Sequence, residues 1–403
     1  VIGYEGDPDA YGGTGAFSSG SATKNVEEDP AAGSFITRDN ITVDYVTEGG
    51  NNEYGPEVNL NGWNISDIGW DNESPSTVTL NSPSGCIGDN TPDFDWTDAT
   101  DGASGFRDYT LQVDTSGGDY SAPVKDTTGL TSSEYAWSGD ALDDGDYIWR
   151  VISYDNVGNS TITGGGSFSV DVTPPPVATL LSPGDEACIA TLTPTLDWTD
   201  VTDGGCAGLK DYHLQIADNP GFAGASDYYP TNSSYDVTGA DGLVDNVTYY
   251  WHVSSRDNNG YESDYSTAWS FTPDVSPPPV PTLNTPADGA CLATLTPSLI
   301  WDGVEDGGCA GLKDYHIQVD DDDGFSSCEV DEYVSEPTTS YDVGTGVLSE
   351  NVTYYWHVSS RDNNDLESGF AAYREFSIDV SPPSVPTLAS PANDSWTNDN
   401  TPE

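Results

Sequence analysis

Residues 188–216 read CIATLTPTLDWTDVTDGGCAGLKDYHLQI, and residues 291–319 repeat them almost letter for letter as CLATLTPSLIWDGVEDGGCAGLKDYHIQV. A worn copy at 86–113, CIGDNTPDFDWTDATDGASGFRDYTLQV, keeps the first cysteine and loses the second. Repetition is therefore the first fact about this chain. Working outward, the pattern T-L-x-[ST]-P ends at Pro83, Pro183, Pro286 and Pro391, at spacings of 100, 103 and 105 residues. Each full repeat closes on an apolar run, an acidic residue and a proline cluster: SFSVDVTPPP, SFTPDVSPPP and EFSIDVSPPS. Paired prolines cannot continue a strand and they stiffen the chain, so these are short, semi-rigid linkers.

Within each repeat the apolar residues alternate. Leu196 and Trp198 do so, as do Tyr212, Leu214 and Ile216, and Trp251 and Val253. Period two over short runs, with Asp, Gly and Asn between them, specifies β-strands, and no stretch sustains a helical period. About seven short strands in a repeat of roughly a hundred residues read as an antiparallel sandwich.

At this point the residues resemble a family. A tryptophan in the second strand (Trp96, Trp198, Trp301) and a late strand written DYIWRV, TYYWHV and TYYWHV are similar to fibronectin type III and related immunoglobulin-like repeats of prokaryotic surface proteins. Leu243 stands six residues before Tyr249 and Leu348 six before Tyr354, the spacing that fold's tyrosine corner requires; Leu142 and Tyr147 are five apart. The resemblance covers about residues 74–380. It implies an all-β chain of tandem antiparallel β-sandwiches, which the proline-stiffened linkers and the cysteine links read below would arrange as a rod. It says little of function, because many functions use this scaffold. The expected organisation is an N-terminal divergent or incomplete β region at 1–73, repeats at 74–172, 173–275 and 276–380, and at 381–403 the opening strand of a further repeat or a donor strand. The chain opens at Val1 without methionine, as a processed or excised chain would.

Composition narrows the partners. Of 403 residues 68 are acidic and 10 basic, a net charge of −58. Such a chain repels nucleic acid and anionic lipid, and no apolar run is long enough to span a membrane. Two readings of the acidity compete: a surface suited to high salt, and carboxylates gathered around divalent cations. Six cysteines place the chain in an oxidising, extracellular or cell-surface setting. Asn-x-Ser/Thr at Asn40, Asn64, Asn72, Asn159, Asn232, Asn246, Asn351 and Asn393 marks candidate glycosylation sites, several of which chance alone would supply.

No nucleophile, phosphate loop or Cys-x-x-Cys motif is present, so no enzyme is expected. Four histidines, His213, His252, His316 and His357, fall at matching positions and on alternation should face solvent; a polar cross-strand pair is the simplest account. Acidic groups recur in the loop after the tryptophan strand (Asp98 and Asp101; Asp200 and Asp203; Glu305 and Asp306). They recur after the Y-x-W-x-V strand (Asp155, Asp257, Asp362) and in the linkers (Asp171, Asp274). In a fibronectin-like sandwich these meet at one end of the domain. Asp171, Asp200, Asp203, Asp257, Asp274, Glu305, Asp306 and Asp362 are thus candidate Ca²⁺ ligands, the alternative being that Asp and Asn simply make good turns. Asp320 to Asp323 read as a solvated turn.

Strand direction then sorts the cysteines. Cys188 precedes the tryptophan strand and Cys206 follows it, so the strand, at about 3.3 Å per residue, carries them to opposite ends of the sandwich. A disulfide needs Cα atoms within about 7 Å. End-to-end stacking instead pairs Cys86 with Cys206 and Cys188 with Cys309, leaving Cys291 for Cys328. The function expected is a stiff extracellular filament subunit or surface stalk that self-associates, with strand donation as one route to a polymer. The alternatives are an adhesin or carbohydrate-binding module meeting surface glycans, or the accessory region of a secreted hydrolase.

Overall fold

The computed structural model describes residues 71–388 and, nearer the start, two short strands that pair antiparallel, β1 (Ala22–Thr23) and β2 (Thr42–Val43). Candidate sites Asn40, Asn64 and Asn393, most of 1–73 and the end of 381–403 lie outside the described residues.

Three groups of eight strands follow. The first repeat holds β3 (Leu80–Ser82), β4 (Gly85–Ile87), β5 (Phe94–Trp96), β6 (Phe106–Thr115), β7 (Lys125–Leu130), β8 (Glu134–Tyr135), β9 (Gly145–Asp155) and β10 (Ser160–Val170). The second holds β11 (Leu180–Ser182), β12 (Ala187–Ile189), β13 (Thr195–Trp198), β14 (Leu209–Ala217), β15 (Ser226–Tyr228), β16 (Ser234–Asp236), β17 (Tyr249–Asp257) and β18 (Trp269–Pro273). The third holds β19 (Leu283–Thr285), β20 (Ala290–Leu292), β21 (Ser298–Trp301), β22 (Leu312–Asp320), β23 (Val330–Ser335), β24 (Ser340–Asp342), β25 (Thr353–Asp362) and β26 (Arg374–Ile378).

Each repeat builds two sheets. One is three-stranded, in the orders β3-β5-β8, β11-β13-β16 and β19-β21-β24. The other is five-stranded, in the orders β4-β10-β9-β6-β7, β12-β18-β17-β14-β15 and β20-β26-β25-β22-β23. This is a tandem of fibronectin type III-like sandwiches, the fold class the sequence implies. There are eight strands rather than seven because the opening strand is cut by the landmark proline. Proline has no N–H for the ladder. The residues before it pair antiparallel with the tryptophan strand, and those after it cross to the other sheet, where β4, β12 and β20 lie parallel to β10, β18 and β26.

Alternation decides what is buried. In β14 Tyr212, Leu214 and Ile216 point into the core, and in β17 Trp251 and Val253 do. Every sandwich centres on two buried tryptophans, one from each sheet: Trp96 with Trp149, Trp198 with Trp251, Trp301 with Trp356. In the first pair the strand packs so closely that a Cβ on Gly166 would lie 2.3 Å from the Trp149 indole, and beside it Gly165 takes a φ of +101° at the bulge in β10. The tyrosine corner closes the last two repeats, where the hydroxyls of Tyr249 and Tyr354 accept the N–H of Val244 (3.0 Å) and Ser349 (2.9 Å). With one residue fewer, Tyr147 instead donates to the Asp143 carbonyl at 2.9 Å.

Asp320 departs from expectation. It is fully buried, and its two oxygens accept the N–H of Asp322 and Ser327, so it ties the turn from within.

The chain divides into two compact units. The first comprises Val1–Thr173, Asp203–Gly208 and Asn258–Tyr261; the second comprises Pro174–Thr202, Leu209–Asp257 and Glu262–Glu403. No helix among the described residues is long and apolar enough to cross a membrane.

Candidate cation sites and the cysteine junctions

In the second unit three segments bring carboxylates together. Asp274 leaves β18, where its N–H donates to the Ile189 carbonyl at 2.8 Å. Asp306 lies in the loop between β21 and β22, and Asp362 is the last residue of β25. One oxygen from each lies within 4.8 Å of the others. Every carboxylate also spends an oxygen on backbone. Asp274 Oδ2 accepts from Ala310 (2.9 Å), Asp306 Oδ2 from Gly311 (2.9 Å) and Asp362 Oδ1 from Leu366 (2.8 Å). The second oxygens, Asp274 Oδ1 and Asp362 Oδ2, are buried and have no hydrogen-bond partner in the protein. Burial, then the adjacent charges of Asp274 and Asp306, push the Asp362 carboxyl above the usual carboxylate range.

A buried carboxylate oxygen with no donor is costly. The donor set fits a hard divalent cation. Calcium takes oxygen ligands at about 2.3–2.6 Å, so ligands on opposite sides of one ion stand about 4.6–5.2 Å apart. Neither nitrogen nor sulfur belongs to this set, as a structural zinc site would require.

The loop is shaped to permit this. A Cβ on Gly308 would lie 1.9 Å from Asp274 Oδ2, so the second glycine of Asp-Gly-Gly-Cys admits no side chain. The Asn364 side-chain amide donates to the Asp274 carbonyl (3.2 Å), and that of Asn363 to the carbonyls of Ala310 (2.8 Å) and Gly311 (3.1 Å), pinning linker and loop together.

The first unit holds a variant. Asp71, Asp101 and Asp155 also bring oxygens within 4.8 Å of one another. Asp71 Oδ2 accepts from Ser104 (2.8 Å), Asp101 Oδ2 from Gly105 (2.7 Å) and Asp155 Oδ1 from Asn159 (2.7 Å), a backbone pattern matching that of the second unit. Here, however, the Asn159 Nδ2 donates to Asp155 Oδ2 (2.7 Å) and to the carbonyls of Asp71 (3.1 Å) and Glu73 (3.0 Å). An amide supplies the positive end that the other cluster lacks, and Leu366 stands at the matching place, four residues after Asp362. The same contacts engage the nitrogen that a glycan at Asn159 would need. Asn72, Asn232, Asn246 and Asn351 are exposed.

The remaining candidates are placed as follows. In the first unit Asp171 is buried, its Oδ2 accepting from Ala207 (2.8 Å) and its Oδ1 unpartnered, while Asp203 Oδ2 accepts from Gly208 (2.8 Å). Gly205 repeats the role of Gly308, a Cβ there lying 2.0 Å from Asp171. Asp257 is fully buried at the end of β17 in the second unit. Asp200 and Glu305 are exposed.

Beside the carboxylates stand disulfides. Cys86 joins Cys206 within the first unit and Cys188 joins Cys309 within the second, each with Cα atoms 5.7 Å apart. The second of these fastens β12 of one sandwich to the β21–β22 loop of the next. The expected third bond does not form: Cys291 and Cys328 are free. Both stand at the same end of the sandwich, but on opposite edges of its five-stranded sheet. Four strand spacings of about 4.8 Å separate them laterally, roughly 19 Å, far beyond disulfide reach. Burial, together with Asp320 and Asp331, pushes the Cys328 thiol up.

The histidines also differ from expectation, because loops fold over the outer face of the sheet. His252 is stacked between Phe222 and Tyr265 at 3.7 and 3.8 Å, and His357 between Phe325 and Phe370 at the same separations. Burial, then the neighbouring His213 or His316, brings each of the two down to about 4. His213 lies between Glu262 (2.9 Å) and Asp227 (2.8 Å), and His316 between Glu367 (2.9 Å) and Asp331 (2.5 Å). Alongside, Arg361 grips Asp314 through two hydrogen bonds (3.0 and 2.7 Å) and lies 4.1 Å from the centre of the Tyr333 ring.

Sequence reasoning missed Asp71, Gly205 and Gly308, and read Asn159 only as a candidate glycosylation site. A signal for Asp71 was present, since Trp70-Asp71 repeats the apolar-Asp step of Val170-Asp171 and Pro273-Asp274. For Asn159 there was none, because its role depends on where its amide points.

No protein-family model matches the chain, and no curated protein matches it. Among solved structures the FN1–FN3 domains of chicken CNTN1 are similar in fold, at 17% identity and a TM-score of 0.34, over 75% of this chain and 97% of that one.

Proposed function

We propose that the chain is an extracellular structural protein, a stiff rod-like filament subunit or surface stalk of a prokaryotic cell. In this reading a disulfide and a Ca²⁺ ion together lock successive sandwiches. The observation that carries it is the pairing of two devices at one place: the Cys188–Cys309 bond and the carboxylates of Asp274, Asp306 and Asp362 with two bare, buried oxygens. Interfaces between domains of one chain are ordinarily small and permit motion. A covalent link, a bound ion and a proline-paired linker each remove some of that freedom. In the first unit Asn159 does the work of the ion.

When bound, calcium supplies positive charge to oxygens that otherwise repel one another. Asp274 brings the linker, Asp306 the loop that also carries Cys309, and Asp362 the strand end, so the ion ties three segments. The domain limits 74–172, 173–275 and 276–380 follow from placing the junctions at the Asp–Pro linkers. Self-association, including strand donation by residues 381–403, belongs to the same reading. Calorimetric titration with CaCl₂ tests the clamp: saturable binding lost in Asp306→Asn supports it, and no heat with wild type overturns it. Electron microscopy of native material tests the rod, straight regular particles being expected and flexible beads contradicting it.

One observation favours a second reading. Tyr229 and Tyr333 stay about half exposed at equivalent places, each backed by an arginine (4.3 and 4.1 Å to the ring centre). Rigid exposed aromatics are what a glycan-binding surface uses, and glycan-array binding lost on Tyr333→Ala would favour an adhesin.

A further inference from the structure

Cys291 holds the same place in the third sandwich that Cys86 and Cys188 hold in the first and second. All three lie in the short strand that crosses to the five-stranded sheet, and they pair in the same register, with Ser169, Thr272 and Ser377. The residue two beyond that partner is an aspartate each time, and its N–H donates to the carbonyl that follows the cysteine: Asp171 to Ile87 (3.0 Å), Asp274 to Ile189 (2.8 Å), Asp379 to Leu292 (3.0 Å). Backbone and register are therefore the same three times over.

What differs is occupancy. At the first two places the sulfur is bonded to Cys206 or Cys309. The aspartate Oδ2 accepts the N–H of Ala207 or Ala310, the residue after that cysteine. An asparagine, Asn259 or Asn364, donates to the aspartate carbonyl (3.0 and 3.2 Å). Asp171 and Asp274 are consequently 1% and 0% exposed. At the third place Cys291 is free and exposed, Asp379 is exposed with its Oδ1 turned back to the Ser381 N–H (3.1 Å), and Val380 is 40% exposed.

We infer that Cys291, Asp379 and Val380 form the receiving half of a third junction. Its occupant is a further sandwich of this repeat type, with a cysteine in an Asp-Gly-Gly-Cys-Ala-Gly loop and an asparagine after its Y-x-W-x-V strand. The partner's thiol and the Cys291 thiol are oxidised to a disulfide, two protons and two electrons passing to the thiol oxidant of the compartment, a protein or small-molecule disulfide. A second copy of the chain does not fit, because both of its loops of this sequence already hold their cysteines in bonds. The worn first-repeat loop has no cysteine to offer.

The inference rests on reading the Cys–Asp pair as a junction element, and it needs no calcium, so the two fail separately: one in metal binding, the other in cysteine connectivity. The test extends the full chain, after Val380, with a second copy of residues 276–380, expressed in an oxidising compartment. Alkylation without reductant and peptide mapping should find Cys291 linked to the added loop's cysteine, whereas in the parent chain Cys291 is fully alkylated. Cys291 left alkylated in the lengthened chain, with the other two disulfides intact, overturns the proposal, as does a bond from Cys291 to Cys328. Native material gives an independent reading that does not depend on folding of the added copy. There Cys291 is expected in a cross-linked peptide whose other half carries a Gly-Cys loop, and its recovery as an alkylated thiol refutes the inference.

Discussion

Replacing Asp362 by asparagine should stabilise the protein in chelator and destabilise it, relative to wild type, in calcium. The change is isosteric and leaves Oδ1 to accept the Leu366 N–H. Without a cation, Asp362 faces Asp274 and Asp306 with ligand oxygens inside 4.8 Å. At that separation and an effective dielectric of about 20, each pair of full charges repels by about 3.5 kcal/mol. Burial, then those neighbours, hold the Asp362 carboxyl above its ordinary range, so it keeps its proton to a higher pH than a free carboxylate does. The sign follows. A raised folded-state value gives stability that is complete below the ordinary carboxylate range and is lost as pH rises through the shifted value. Wild type in chelator should therefore weaken toward neutral pH, and D362N should not, gaining about 1–3 kcal/mol over wild type there. In calcium at about a thousand times the dissociation constant, wild type gains about 4.1 kcal/mol that the variant does not. The order inverts, and for a repeat of this size each kcal/mol moves the melting point by about 4–8 °C. Scanning calorimetry with chelator and with CaCl₂ measures both arms. A variant equally weaker in both would refute the argument, since it would show an ordinary buried hydrogen-bonding aspartate and no cation site.

Leu366→Asn should install in the third sandwich the amide that Asn159 supplies in the first; the melting temperature should lose its calcium dependence without falling to the chelator value, as the same calorimetry would show. Arg361→Ala leaves Asp314, only 7% exposed, without its two charged donors and should cost about 2–4 kcal/mol in urea unfolding, with Arg361→Lys recovering only part. His252 and His357 are held at about 4 by burial and then by a neighbouring histidine, below the unfolded value of 6.5. Their contribution is complete above 6.5 and is lost as pH falls toward 4, so circular dichroism should find the acid limb shallower in a His252→Gln, His357→Gln double variant, and an unchanged limb would exclude these rings as its cause.

The sequence by itself determined the repeat, the strands and the class of fold. Alternation such as Tyr212-x-Leu214-x-Ile216 has one meaning when one face is buried, and a proline after every opening strand leaves no N–H to continue the ladder. It also determined that Cys188 and Cys206 stand at opposite ends of a sandwich, because a strand has a length. Tertiary structure decided what lies sideways or depends on a direction. Cys291 and Cys328 share an end but occupy opposite edges, and strand order across a sheet is not written in the spacing of residues along the chain. The histidines alternate outward as read, yet loops bearing Phe222, Tyr265, Phe325 and Phe370 cover them. Asn159 and Leu366 are one substitution apart in sequence. Only the direction of an amide shows that one fills a cluster of carboxylates, while the other leaves its two inner oxygens bare.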